Sequence, residues 1–167
     1  MPRAKGEAAA LRRLLRQPLP FLALGFGSGL APKAPGTFGT LVGLPFYWWW
    51  QDWPLEAYLL VVAVALVVGI YLCGETARRL GVHDHPAIVW DEMVGLWITL
   101  APAPAGGLWW LLGFGLFRLF DIWKPWPIGA IDRRLQGGLG IMLDDVLAGL
   151  YAALAVVAAA AVYEVVG

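Results

Sequence analysis

Charge is what this sequence has least of. Of its 167 residues 14% are Asp, Glu, Lys or Arg, whereas a soluble domain carries about a quarter. With 60% hydrophobic residues and a mean hydropathy of +0.68, the chain belongs with membrane proteins rather than water-soluble globules. Bases and acids balance at 12 each, so no basic field draws it to nucleic acid. One cysteine, Cys73, excludes an intrachain disulfide and gives no sign of an oxidising compartment. One serine, Ser28, leaves no credible serine triad. Two histidines, His83 and His85, are too few for a zinc site, though either can donate a proton to a leaving oxygen. Cys73 and Arg79 have the Cys-x5-Arg spacing of cysteine-dependent phosphatases. That chemistry needs a thiolate in a phosphate-cradling loop, and Cys73 instead closes an apolar helix, so the spacing is read as chance.

Tryptophan is abundant, with 10 residues, and suits membrane–water interfaces. Residues 57–73 are just long enough to span a bilayer, and 146–163 are the cleanest transmembrane candidate. The apolar segments at 38–50 and within 93–117 are short for full spans. Residues 1–24 form a basic arm with Arg3, Lys5, Arg12, Arg13 and Arg16. Leu11, Leu14 and Leu15 fall there at helical spacing, which predicts an amphipathic helix lying on an anionic membrane surface. Residues 25–167 read as one domain. If the apolar segments alternate, the connections 51–56, 101–107 and 164–167 share a side that carries no Lys or Arg. The positive-inside rule then makes the charged side cytoplasmic.

That side gathers Asp84, Asp91, Glu92, Asp121, Asp144 and Asp145. Magnesium takes hard oxygen ligands of this kind, and adjacent carboxylates on a helix diverge by ~100°, so each pair can serve two directions. Gly95 and Gly149, one turn beyond the pairs, predict close helix approach. The plainer reading is that these acids pair with arginines and cap helix N-termini. Arg118, Asp121 and Lys124, spaced by three, predict one charged helical face before Pro125, suited to a phosphate. Gly25–Thr40 reads as a glycine- and proline-rich loop able to wrap a phosphate with backbone N–H groups, assisted by Lys33 and Thr37. Thr37 is expected to cap the following helix. The loop lacks the Gly-Lys-Ser/Thr of a Walker A motif.

Four blocks, Gly25–Gly39, His83–Gly95, Phe117–Ile128 and Gly137–Gly149, together resemble the bacterial phosphatidylglycerophosphatase A family. The resemblance runs in order over about residues 20–165. It implies an all-α fold in the bacterial inner membrane; with the segment lengths and charge placement above, the expectation is a multi-helix membrane-embedded bundle with short or broken helices and an active site at the cytoplasmic face. It implies Mg²⁺-dependent hydrolysis of the terminal phosphate of phosphatidylglycerophosphate to phosphatidylglycerol in phospholipid biosynthesis, with membrane lipids as partners. Carried onto this chain, the motif positions are Lys33, Thr37, Asp84, Asp91, Glu92, Arg118, Asp121, Lys124, Asp132, Arg133, Asp144 and Asp145. The expected catalytic acids are Asp91, Glu92, Asp121, Asp144 and Asp145. These five and Asp84 are the expected metal ligands, and Lys33, Thr37, Arg118, Lys124 and Arg133 the expected phosphate binders. Attack by water and a covalent aspartyl-phosphate both stay open. The competing class is a non-enzymatic transporter or scaffold whose buried charges gate or pair.

Overall fold

A computed structural model describes the chain over residues 2–166, and the side chains of Arg3 and Lys5 in the predicted basic arm lie outside the described residues. Among the described residues there is no strand. Short helices α1 (Pro2–Leu14) and α2 (Pro18–Ala23) and a 3-10 segment (Gly25–Leu30) lead into α3 (Pro35–Trp50) and α4 (Leu55–Leu80). Then come α5 (Trp90–Leu100), α6 (Gly107–Trp123), α7 (Ile128–Arg134) and α8 (Gly137–Val166). The five longest helices after α1 alternate in direction. Gly36 meets Glu92 and Arg118, and Gly74 meets Gly138, at one end. Tyr47 packs on Tyr58, and Trp109 on Tyr163, at the other.

The bundle is built around α5, which packs against α3, α4, α6 and α8. Its 11 residues make it ~16 Å long, about half a bilayer core. Among the described residues, two helices, α4 and α8, are long and apolar enough to cross a membrane. Both outgrow the apolar runs that announce them. α4 carries Glu75, Arg78 and Arg79 in its last turns, where Glu75 pairs with both arginines at 2.8 Å, and stops at Gly81 in the left-handed conformation (φ 71°). α8 starts at Gly137, so Asp144 and Asp145 lie two turns inside the helix instead of opening it.

The expected close approach is present. A Cβ on Gly149 would stand 2.6 Å from the Gly95 carbonyl oxygen, and one on Gly95 would strike Phe117 and the Asp145 carbonyl. Thr99 Oγ1 reinforces the crossing, donating to Gly95 O at 2.9 Å and standing 3.3 Å from Gly149 O. Three expectations are corrected. Leu14 of α1 is buried, and Leu11 and Leu15 pack on the same core, so this apolar face is covered by protein rather than lipid. Gly25–Thr40 is not one open loop but a 3-10 segment, a four-residue link at 31–34 and the first turns of α3. α3 begins at Pro35, whose fixed φ suits a first helical position, so Thr37 lies inside the first turn and caps nothing.

The tryptophans divide by place. Trp48, Trp49 and Trp53 are exposed around the α3–α4 turn, and Trp123 and Trp126 at the opposite end, as interfacial belts would be. Trp97 and Trp109 are buried.

Candidate active site

The first turn of α5 carries Asp91 and Glu92, and its position is set by the segment before it. The Val89 N–H donates to Ala23 O at 2.9 Å, tying the entry of α5 to α2. Gly29 and Gly39 leave room for Ala87 and Val89, since a Cβ on either would collide with them. The N–H groups of Gly27 and Gly29 bond to Leu24 O and that of Ala31 to Ser28 O. Gly29 and Gly39 therefore serve packing beneath α5, and the amides of Gly27, Gly29 and Ala31 are spent within the segment rather than arrayed for a phosphate. Gly36 alone of the stretch abuts the carboxylates, with no room for a Cβ between it and Glu92.

Asp91, Glu92 and Asp145 each offer one oxygen to a set whose members all lie within 4.8 Å of one another. Asp91 and Asp145 are buried, at 6% and 3% exposure. Asp91 Oδ1, Glu92 Oε2 and Asp145 Oδ1 are buried without a hydrogen-bond partner. Buried carboxylates are costly unless neutralised, and one cation borders these three. Arg118 Nη1 stands 3.6 Å from Glu92 Oε1 and 2.5 Å from Asp121 Oδ2, the latter an ion pair outside hydrogen-bond alignment. Arg118 Nε is buried and has no acceptor. Three hard oxygen donors with a single guanidinium beside them fit a divalent cation such as magnesium.

A second charged group lies alongside. Lys124 follows the last residue of α6 in the left-handed region (φ 45°) and so leaves the face shared by Arg118 and Asp121, contrary to the three-residue spacing. Its Nζ donates to Asp144 Oδ2 at 2.6 Å and pairs with Asp132 Oδ1 at 3.0 Å. Burial opposes the ammonium charge, but these two carboxylates outweigh it and hold Lys124 above its usual value. Asp144 Oδ1 stays buried and unpartnered.

The remaining expected residues stand further out. Asp84 stands outside the triad, and desolvation of its carboxyl by the surrounding chain outweighs attraction from Lys124 and raises it above an ordinary aspartate. Lys33 and Arg133 are exposed, and Thr37 is half-buried one residue past Gly36. Of the six expected metal ligands the fold thus brings three into one ligand set. Asp121 is held by Arg118 and Asp144 by Lys124. Asp132, absent from the expected ligand and binding sets, belongs to the site through Lys124. Its sequence signal was its place among the motif positions that the resemblance carried onto this chain. His83 Nε2 lies 3.2 Å from Leu135 O, and His85 Nδ1 accepts from the Ala87 N–H. Cys73 is fully buried, with Sγ 3.7 Å from Met142 Sδ, and no phosphate cradle surrounds it.

A buried carboxylate triad beside a guanidinium and an ammonium, on an apolar helical bundle, is the equipment of a membrane-associated phosphatase. The comparisons with known proteins agree. The family model described as phosphatidylglycerophosphatase A matches residues 21–160. An Escherichia coli (strain K12) protein of that name is 47% identical over 154 residues, 92% of this chain and 89% of the relative. A Haemophilus influenzae protein of the same name is 47% identical over 146 residues, 86% of this chain and 90% of the relative. A Bacteroides thetaiotaomicron protein, provisionally named a phosphatidylinositol-3-phosphatase, is 38% identical over 141 residues, 78% of this chain and 86% of the relative. No solved structure matches. The chain belongs to the phosphatidylglycerophosphatase A family, and it is an enzyme of the phosphatase class.

Proposed function

We propose that the protein removes the terminal phosphate of phosphatidylglycerophosphate, giving phosphatidylglycerol and inorganic phosphate, in a magnesium-dependent step of phospholipid biosynthesis. The observation that carries this reading is the set of buried, unpartnered oxygens on Asp91, Glu92 and Asp145 beside Arg118. Asp91, Glu92 and Asp145 would hold Mg²⁺, which when bound lowers the pKa of water and screens phosphate charge. Arg118, with its Nε unclaimed, binds a non-bridging phosphate oxygen and steadies charge as the P–O bond to glycerol breaks. Lys124 ties down Asp144 Oδ2, leaving Asp144 Oδ1 to take the proton of the attacking water. Lys33, Thr37 and Arg133 border the approach of the headgroup.

The same reading places the protein in the bacterial inner membrane, crossing more than once, with this site at the cytoplasmic face. The α3–α4 and α5–α6 turns at the far end contain no Lys or Arg, which supports that orientation. The test is phosphate release by the purified protein from phosphatidylglycerophosphate, with magnesium and with chelator. Release that needs magnesium and survives thiol alkylation is expected. Equal release from phosphatidylinositol 3-phosphate would overturn the headgroup assignment, and no release from either lipid would favour a non-enzymatic protein.

A further inference from the structure

We infer that the cleft between α3 and α4 holds one acyl chain of the lipid substrate, a step that rests on the reading above and names how the lipid is seated. α3 and α4 both pack on α5 but scarcely on each other, which leaves a groove of about 490 Å³ whose floor is α5. Trp90, Met93 and Trp97 form that floor, Phe46 stands on the α3 wall, and Val64 and Val68 on the α4 wall. Its size falls within the ~300–1,000 Å³ typical of ligand sites.

Its chemistry selects hydrocarbon. No charged side chain lines it, and the floor's two indole N–H groups are spent on backbone carbonyls, Trp90 on Ala65 O and Trp97 on Gly43 O. The indole N–H of Trp50 on the α3 wall has no partner but is itself buried. A headgroup or a peptide backbone would lose its hydrogen bonds there, whereas a hydrocarbon chain would not. Continuity with the site names the occupant. Trp90 directly precedes Asp91 and Met93 directly follows Glu92, so the groove floor and the carboxylates share one turn of α5. The open side is set by Val64 and Val68, which are 54% and 42% exposed on a helix long enough to span. A chain can slide in sideways from the bilayer, with its phosphate end toward Arg118.

The experiment compares long-chain phosphatidylglycerophosphate with its dihexanoyl analogue, using the purified wild type, Val64→Trp to fill the groove, and Leu59→Trp, on α4 but outside it. The ratio of kcat/KM for long over short chains is expected to fall severalfold in Val64→Trp and to stay at the wild-type value in Leu59→Trp. An unchanged ratio in Val64→Trp overturns the inference. A second measurement uses a long-chain phosphatidylglycerophosphate with a photoreactive group in mid-chain, on the wild type. Crosslinks on Leu60–Val68 or Trp90–Trp97 are expected. Crosslinks spread over the outer face of α8, or a groove filled by a second copy of the chain, overturn it. Wild-type protein inert toward both lipids would sink the phosphatase reading, while the crosslinks would still decide the groove.

Discussion

Asp91-Glu92 and Asp144-Asp145 look alike as sequence, each an acidic pair with a glycine one turn further on, and the structure uses them differently. The first pair stands in the opening turn of an 11-residue helix buried on nearly all sides, and both its acids enter the triad. The second pair lies inside a 30-residue helix and divides: Asp145 joins the triad while Asp144 turns to Lys124. The ~100° between neighbouring helical residues accounts for the division. Where a helix sits among its neighbours decides whether both members of a pair can serve one centre.

The widest separation should come from substituting the two members of the second pair. Asp145→Asn removes a triad oxygen donor and is expected to lower phosphate release by ~10³-fold, as loss of a directly acting charged group does. Asp91→Asn should match it. If either variant keeps near-wild-type rates, the triad is not the centre. Asp144→Asn should cost less, ~10²-fold, the low end for loss of a general base. Lys124→Met should cost a similar amount, and the double variant little more than either alone, because both remove one 2.6 Å hydrogen bond. Additive losses in that cycle would separate Lys124 from Asp144.

The packing of the two helices gives a third contrast. Gly149→Ala puts a methyl group against the Gly95 carbonyl and should destabilise the bundle by ~1–3 kcal/mol, read as a lower thermal midpoint in detergent. Gly115→Ala, where a Cβ meets nothing within 4 Å, should leave the midpoint almost unchanged. The smallest effect concerns pH. Asp84 has a raised carboxyl, so it gains its proton at a higher pH than an ordinary aspartate as the solution is acidified. Asp84→Asn should alter the acidic limb of the rate profile and leave the rate near neutral pH close to wild type.

Much of this was legible in the residues. The shortage of charge and the runs 57–73 and 146–163 announced α4 and α8, and Gly95 and Gly149 announced the crossing that aligns the acids. Helix ends were harder, because Glu75, Arg78 and Arg79 mark a change of polarity that the α4 backbone ignores until Gly81. Lys124 misled by spacing alone, since its left-handed conformation ends α6 one residue before the periodicity would place it. The glycines at 29 and 39 have the composition of an anion-binding loop, and only the packing of Ala87 and Val89 shows what fills their space. Leu11, Leu14 and Leu15 form an amphipathic stripe that suits a membrane surface or a protein core equally well, and tertiary contacts chose the core.

The most direct measurement is titration of the purified protein with Mn²⁺, a hard cation standing in for Mg²⁺, followed by electron paramagnetic resonance of the free ion. The wild type and Asp144→Asn are predicted to bind, and Asp145→Asn is predicted to lose that binding. Equal binding by Asp145→Asn and the wild type would contradict a metal site formed by Asp91, Glu92 and Asp145.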